Sequence, residues 1–481
     1  VRGIRYFLPL LACAWGAAAP GEAGAFDDSF PRPRGAAWFV ERFERIPLPV
    51  SCEPDEQSHP ATPVFRGTAG DWRGFDPYYR RVPVARVRER LRRWLERNRG
   101  IERYFSIGED AIRLYASPSD RRENRPEYVF QLGTAPTPVA FPRPAGNRAH
   151  PLQGVRIAID PGHSGGGLAH IEERYIDMAP VPEVGGRSDL HFDEGTLALL
   201  TAQRLRRLLE GAGAEVLLTH EAIGTTVYKD FNRWRESAEF AEAVSLRLTE
   251  RVFPDDFARE LARWNLFRAP DTEVFRAIYN EYEMKARAER INAFHPDLTL
   301  VIHFNGTSRK NAKGDFLGTD ENYSEVFIPG AFMDDELRDP ASRYEFLRLL
   351  VSGDVEESVR VGGCLAGLFG SALGTPLADE RIGRREPRTA MLPAGPPGVF
   401  ARNLALTRRI HGPLVYGETL IQDNYQESQR LADRSLSIDQ REASYRLEQV
   451  ARAYYLAVLA TFGNRPVPQL RRFEQLDITA Q

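Results

Sequence analysis

Cysteine is scarce in this chain, with three in 481 residues, at Cys13, Cys52 and Cys364. That scarcity excludes a cysteine-built zinc cluster and the dense disulfide framework of small secreted domains. For Cys52 and Cys364 two readings stay open, one bridge or two buried thiols, and their separation in sequence gives pairing no geometric support. An excess of charge is also missing: the formal net charge is -3, with 64 basic against 67 acidic residues. A general nucleic-acid binder needs a basic surface to neutralise phosphates, so that class is set aside. Beyond the N-terminus no apolar run approaches membrane-spanning length, so the mature form carries no transmembrane segment. There is no internal repeat.

What is present is globular material, 42% hydrophobic and 27% charged, long enough for two or three domains with a substantial core. Arg2 and Arg5, the stretch YFLPLLACAWGAAA and the small residues Ala23, Gly24 and Ala25 read as a signal peptide over 1–25, cleaved before Phe26. In a second reading Leu10 to Cys13 form a lipobox, and the protein is a lipoprotein anchored through Cys13. Both readings export the protein to the periplasm or cell envelope.

Residues 26–133 are expected to form a small α+β domain of unknown role. Its helix, Val84 to Arg99, sets Val84, Val87, Leu91 and Leu95 on one face and crowds arginine on the other. That basic face invites an anionic partner, against the plainer reading of a solvated face balanced by Glu89 and Glu96. The proline-rich stretch 134–150 reads as a linker. From 151 to 463 strand and helix alternate: VRIAID, a leucine-rich helix from Gly195 to Glu210, AEVLLTH, LTLVIH at Leu298 to His303, a helix from Val355 to Leu373, a strand at Pro413 to Gly417 and a closing helix from Arg441 to Phe462. This is the grammar of an α/β fold, a mostly parallel sheet flanked by helices. Two insertions interrupt it, a helical one over 221–285 and a polar one over 306–354 in which Tyr323 to Phe332 has strand character. Residues 464–481 form a C-terminal tail.

The most informative segment is VRIAIDPGHSGGG, Val155 to Gly167: an apolar strand stops at Asp160, turns through Pro161 and Gly162, and presents His163. In open α/β sheets ligands gather outside the carboxyl ends of strands. His303 ends a second apolar run and Glu418 follows a third, so one rim collects three polar groups. Glu194 opens the leucine-rich helix, where the helix dipole favours a carboxylate. Two imidazoles and one carboxylate form a set that holds catalytic zinc with a position open for water, which leaves Glu418 free as a base. Each residue also has a plain reading: a loop histidine, a first-turn acid, a strand-end histidine bonded to Asn305, an exposed strand-end acid. His191, three residues before Glu194, is the rival ligand. No Gly-Lys-Ser/Thr follows the glycines after His163, which weakens a phosphate-cradling reading.

In order, VRIAIDPGHSGGG, EGTLALLTAQRLRRLLEGAGAEVLLTH, RAERINAFHPDLTLVIHFNG and GPLVYGETLIQDNYQE resemble the zinc-dependent N-acetylmuramoyl-L-alanine amidases, the catalytic domain of bacterial cell-wall amidases. The resemblance implies zinc ligands at His163, Glu194 and His303 and a catalytic acid/base at Glu418. It implies hydrolysis of the amide between N-acetylmuramic acid and L-alanine in peptidoglycan, with a zinc-bound water as nucleophile and an activator protein as a candidate partner. Ser164 stands where the family usually has Gly, VIHFN replaces SIHAN, and His220 stands where Arg is usual. Ser164 and Asn305 are candidates for substrate or supporting contacts. The alternatives are a non-catalytic wall-binding or scaffolding protein that keeps the fold, and a zinc amidase acting on another amide.

Overall fold

The computed structural model describes residues 49, 52, 65–97, 99–135, 149–178, 190–249, 252–307, 310, 316–333, 336–379, 391–438 and 440–463. The signal segment 1–25 with Cys13, most of the linker 134–150 and the tail 464–481 lie outside the described residues. Among the described residues, no helix is long and apolar enough to cross a membrane.

A seven-stranded sheet runs, in spatial order, Met391–Pro393, Val399–Arg402, Glu325–Pro329, Leu414–Ile421, Leu298–Asn305, Arg156–Pro161, Glu215–Leu218. The last four strands are mutually parallel. Near-continuous apolar sequence suits strands covered on both faces. Ile157, Ile159, Leu298, Leu300 and Ile302 face one core, together with the helices Glu194–Gly211, Asp354–Leu368 and Tyr445–Phe462. Ala158, Val301 and Tyr416 face the other, against Ala288 and Ile291 of the helix Asn280–Phe294.

The expected polar insertion over 306–354 is corrected by its own strand-like stretch. Glu325–Pro329 is a fully buried strand inside the sheet, antiparallel to Leu414–Ile421 and parallel to Val399–Arg402. Its five residues are all buried, so it reads as a core strand and not as a loop. The helical insertion has a core of its own, built on Phe231, Trp234, Phe240, Val244, Phe275 and Tyr279. Leu246, Phe257, Leu261 and Trp264 of the same insertion are exposed.

The N-terminal region contains the antiparallel sheet Phe105–Ile107, Ala111–Leu114, Tyr128–Gln131. Phe105, Ile112, Leu114 and Phe130 join the same core as the seven-stranded sheet. The described residues belong to one compact unit. Phe65 N–H donates to Asp354 Oδ1 at 3.0 Å, Trp94 Nε1 donates to the Ala394 carbonyl at 3.1 Å, and Cys52 is disulfide-bonded to Cys364. The α-helix spans Val84–Arg90 and continues as a wider turn over Leu91–Leu95, and four of its arginines are paired: Arg86 and Arg90 with Glu356, Arg88 with Glu109, Arg93 with Glu89.

Candidate metal centre

Register brings the candidate residues together. On adjacent parallel strands Glu418 pairs with His303, and on the other side Glu418 pairs with Glu325 of the antiparallel neighbour. A bulge between Glu418 and Ile421 breaks the ladder just past this pair, as bulges do beside sites that re-aim a side chain. Pro161 pairs with Ile302, and Gly162 N–H donates to the Ile302 carbonyl at 2.8 Å, so the His163 turn starts directly above His303.

His163 itself has φ +60°, a left-handed conformation that costs a side-chain-bearing residue roughly 1–2 kcal/mol. Surrounding bonds hold it there. Arg287, buried on the helix Asn280–Phe294, donates to the Pro161 carbonyl at 2.7 Å and to the His163 carbonyl at 3.3 Å, and pairs with Asp160 and Glu283. Glu172 accepts from Ser164 N–H at 3.1 Å and lies 3.7 Å from His163 Nδ1. Burial penalises the Glu172 carboxylate, yet His163 and the Ser164 amide hold its carboxyl below the usual range. The glycines that follow let this loop sit on the helix start: a Cβ on Gly195 would lie 2.3 Å from Gly165 N.

Glu194 is the first residue of the helix Glu194–Gly211, capped by Asp193, whose carboxylate accepts from Thr196 N–H at 2.7 Å. Glu194 Oε2 is 3.3 Å from His163 Nε2, and Oε1 is 2.8 Å from His303 Nδ1. The ligand atoms of His163, Glu194 and His303 all lie within 4.8 Å of one another. The His303 ring lies flat against Tyr416, centroids 4.4 Å apart. Burial lowers the His303 pKa although Glu194 opposes it, which keeps the imidazole neutral and able to ligate. Burial also works against the Glu194 carboxylate, but His163 and His303 outweigh it and bring its carboxyl down to about 2. Glu418 is the contrary case: burial, then the charges of Glu194 and Glu325, push its carboxyl well above the ordinary carboxylate range. Its Oε2 has no hydrogen-bond partner among the described residues.

Two converging imidazoles and a carboxylate, His303 and Glu194 buried and His163 partly exposed, are a donor set that fits zinc. The other candidates lie differently. His191 sits on the hairpin Tyr175–Met178/Leu190–Asp193 and pairs with Asp177 at 2.9 Å, outside the cluster. His411 bonds Glu345, and His170 packs on Tyr175. Asn305 Nδ2 donates to Glu325 Oε1 at 2.9 Å, beside Glu418, and the buried Ser164 hydroxyl has no hydrogen-bond partner among the described residues. Periodicity did not single out Glu172, Arg287 or Gln422, whose Nε2 donates to the Phe304 carbonyl at 3.0 Å and lies 3.5 Å from Glu194. Arg287 carried one usable sign: it lies four residues after Glu283 on a helix, a spacing at which opposite charges meet.

The fold and the site together define an α/β protein with a buried histidine–carboxylate centre at the carboxyl ends of its parallel strands. Residues 157–325 match the family model described as N-acetylmuramoyl-L-alanine amidase. Among solved structures the chain is similar to the Ami1 amidase of Mycobacterium smegmatis, at 14% identity over 65% of this chain and 99% of that one, with a TM-score of 0.35. It is similar to the CwlD amidase of Clostridioides difficile, solved with the GerS lipoprotein, at 16% identity over 64% and 98%, with a TM-score of 0.31. The AmiC2 amidase of Nostoc punctiforme is similar at 15% identity over 63% and 95%, with a TM-score of 0.31. No curated protein matches the chain.

Proposed function

We propose that this protein is an exported, zinc-dependent N-acetylmuramoyl-L-alanine amidase that cuts the amide between N-acetylmuramic acid and L-alanine of peptidoglycan. The observation that carries the reading is the convergence of His163, Glu194 and His303 beside Glu418, whose buried Oε2 has no hydrogen-bond partner among the described residues. A bound zinc ion supplies Lewis acidity, which makes water a nucleophile near neutral pH and polarises the scissile carbonyl. Glu418 takes the proton of the attacking water and delivers it to the leaving amine of L-alanine. Glu172 and Arg287 hold His163 in place, and Tyr416 fixes the plane of the His303 ring. Asn305 orients Glu325, the carboxylate opposite Glu418 in register. Peptidoglycan as substrate and an activator protein as partner belong to the same proposal.

The test incubates the protein with purified peptidoglycan, with and without a chelator, and looks for newly exposed N-terminal L-alanine. Chelator-sensitive release is the expected result. Metal-dependent cleavage at another amide would keep the chemistry and overturn the substrate. Binding to the wall without cleavage at any metal load would leave a scaffolding protein.

A further inference from the structure

Arg174 stands at the edge of the metal centre with most of its donors unused. Its main-chain carbonyl accepts from Glu194 N–H at 3.1 Å, which fixes it to the start of the ligand helix. Its Nε lies 3.8 Å from Glu194 Oε2, the same oxygen that faces His163. This is too long for a hydrogen bond. Among the described residues the only hydrogen bond its guanidinium donates is a long one, 3.4 Å, to the Glu173 carbonyl. The side chain is 45% exposed, whereas the Glu194 side chain beside it is 5% exposed. A guanidinium has five donors in a fixed fork, matched to a carboxylate. Here that fork is half-exposed beside the ligand carboxylate of Glu194.

A guanidinium with free donors at this position favours one class of substrate, because an anionic peptide gains a charge-assisted pair there that a neutral one cannot make. One residue of extended peptide spans about 3.3–3.6 Å, so a carboxylate on the residue after the scissile L-alanine falls within reach of a guanidinium beside the metal ligands. We infer that Arg174 is a specificity-determining residue that receives a carboxylate of the stem peptide next to L-alanine, making acidic stems the preferred substrate. This rests on the amidase reading above.

The test compares two synthetic N-acetylmuramoyl peptides that differ only at the residue after L-alanine, which carries a carboxylate in one and its carboxamide in the other. A charge-assisted pair predicts that the zinc-loaded protein prefers the acid by about tenfold to a hundredfold in kcat/KM, mainly through KM. In Arg174→Gln the acid-to-amide ratio falls close to one, and Arg174→Lys keeps part of the preference, while zinc content is read in parallel. A ratio near one in the wild-type protein, which needs no variant to fold, overturns the inference. So does an unchanged ratio in Arg174→Gln, since a purely structural arginine lowers both substrates alike. Hydrolysis of neither peptide by the zinc-loaded protein overturns the amidase reading itself, and the inference with it.

Discussion

The imidazole of His303 fills the space that a side chain on residue 162 would need: a Cβ built on Gly162 lies 2.3 Å from His303 Cε1 and Nε2. Real contacts never come that close, so the glycine is a condition of the centre and not merely a turn residue. Gly162→Ala is expected to displace the His303 ring and lower zinc affinity, with hydrolysis falling in step. Metal titration followed by elemental analysis checks it, and an alanine variant with unaltered zinc affinity would contradict the packing described.

Glu418 and His163 are expected to separate chemistry from metal binding. Glu418→Gln retains zinc and loses about 10²–10⁴-fold in kcat, the range of a lost general acid/base. His163→Ala loses both. Zinc stoichiometry measured beside the release of N-terminal L-alanine distinguishes the two. A fully active Glu418→Gln protein would remove Glu418 from the mechanism.

Arg287 bridges the buried carboxylates of Asp160 and Glu283 and the carbonyls of the His163 turn. Arg287→Met leaves two buried acids without their cation. The expected cost is about 3–5 kcal/mol of stability, read from denaturant midpoints. Chelation of the zinc site should become easier in the same variant.

The Cys52–Cys364 bridge ties a segment before the small sheet to the helix Asp354–Leu368 across 312 residues. Cys364→Ser, or a reductant able to reach the bridge, is expected to lower stability by about 2–5 kcal/mol. Thermal melts with and without reductant provide the check, and a Cys364→Ser protein should show no reductant effect.

Glu448 joins the two long helices of one face: Arg204 contacts its oxygens at 2.5 and 3.0 Å, and Arg452 lies at 2.7 Å. Burial penalises the Glu448 carboxylate, but Arg204 and Arg452 hold its pKa below 4.5. A depressed folded-state pKa gives stability that is fully present above the unfolded value and lost as pH falls through the folded one. Stability should therefore drop below about pH 4.5, near the unfolded value of a glutamate. Glu448→Gln should flatten part of that drop in urea midpoints measured from pH 7 to pH 3.

Much of the site was legible because local pattern carries it. Apolar runs ending at Asp160 and Ile302 mark strands whose next polar residue stands on the rim, and the leucine spacing after Glu194 marks a helix whose first turn favours an acid. His191 was indistinguishable from a ligand at this level, because spacing to Glu194 says nothing of direction. The strand Glu325–Pro329 was visible only as a tendency, because its pairing with Leu414–Ile421 and Val399–Arg402 is made far away in sequence. For the basic face after Val84 the sequence offered only the nearby Glu89 and Glu96, because Glu109 and Glu356, which pair with Arg88 and Arg90, lie on other elements.

By itself the sequence determined the classes of element and the residue types offered at their ends, since burial periodicity and helix-end chemistry act over a few residues. Tertiary structure alone decided which of those ends meet. Glu418 falls beside His303 because two parallel strands share a register, His163 keeps its left-handed backbone because a buried arginine from another helix holds its carbonyl, and Cys52 reaches Cys364 because the N-terminal region packs into the common core. Such pairings depend on closing long loops and filling one interior, and no local pattern encodes that.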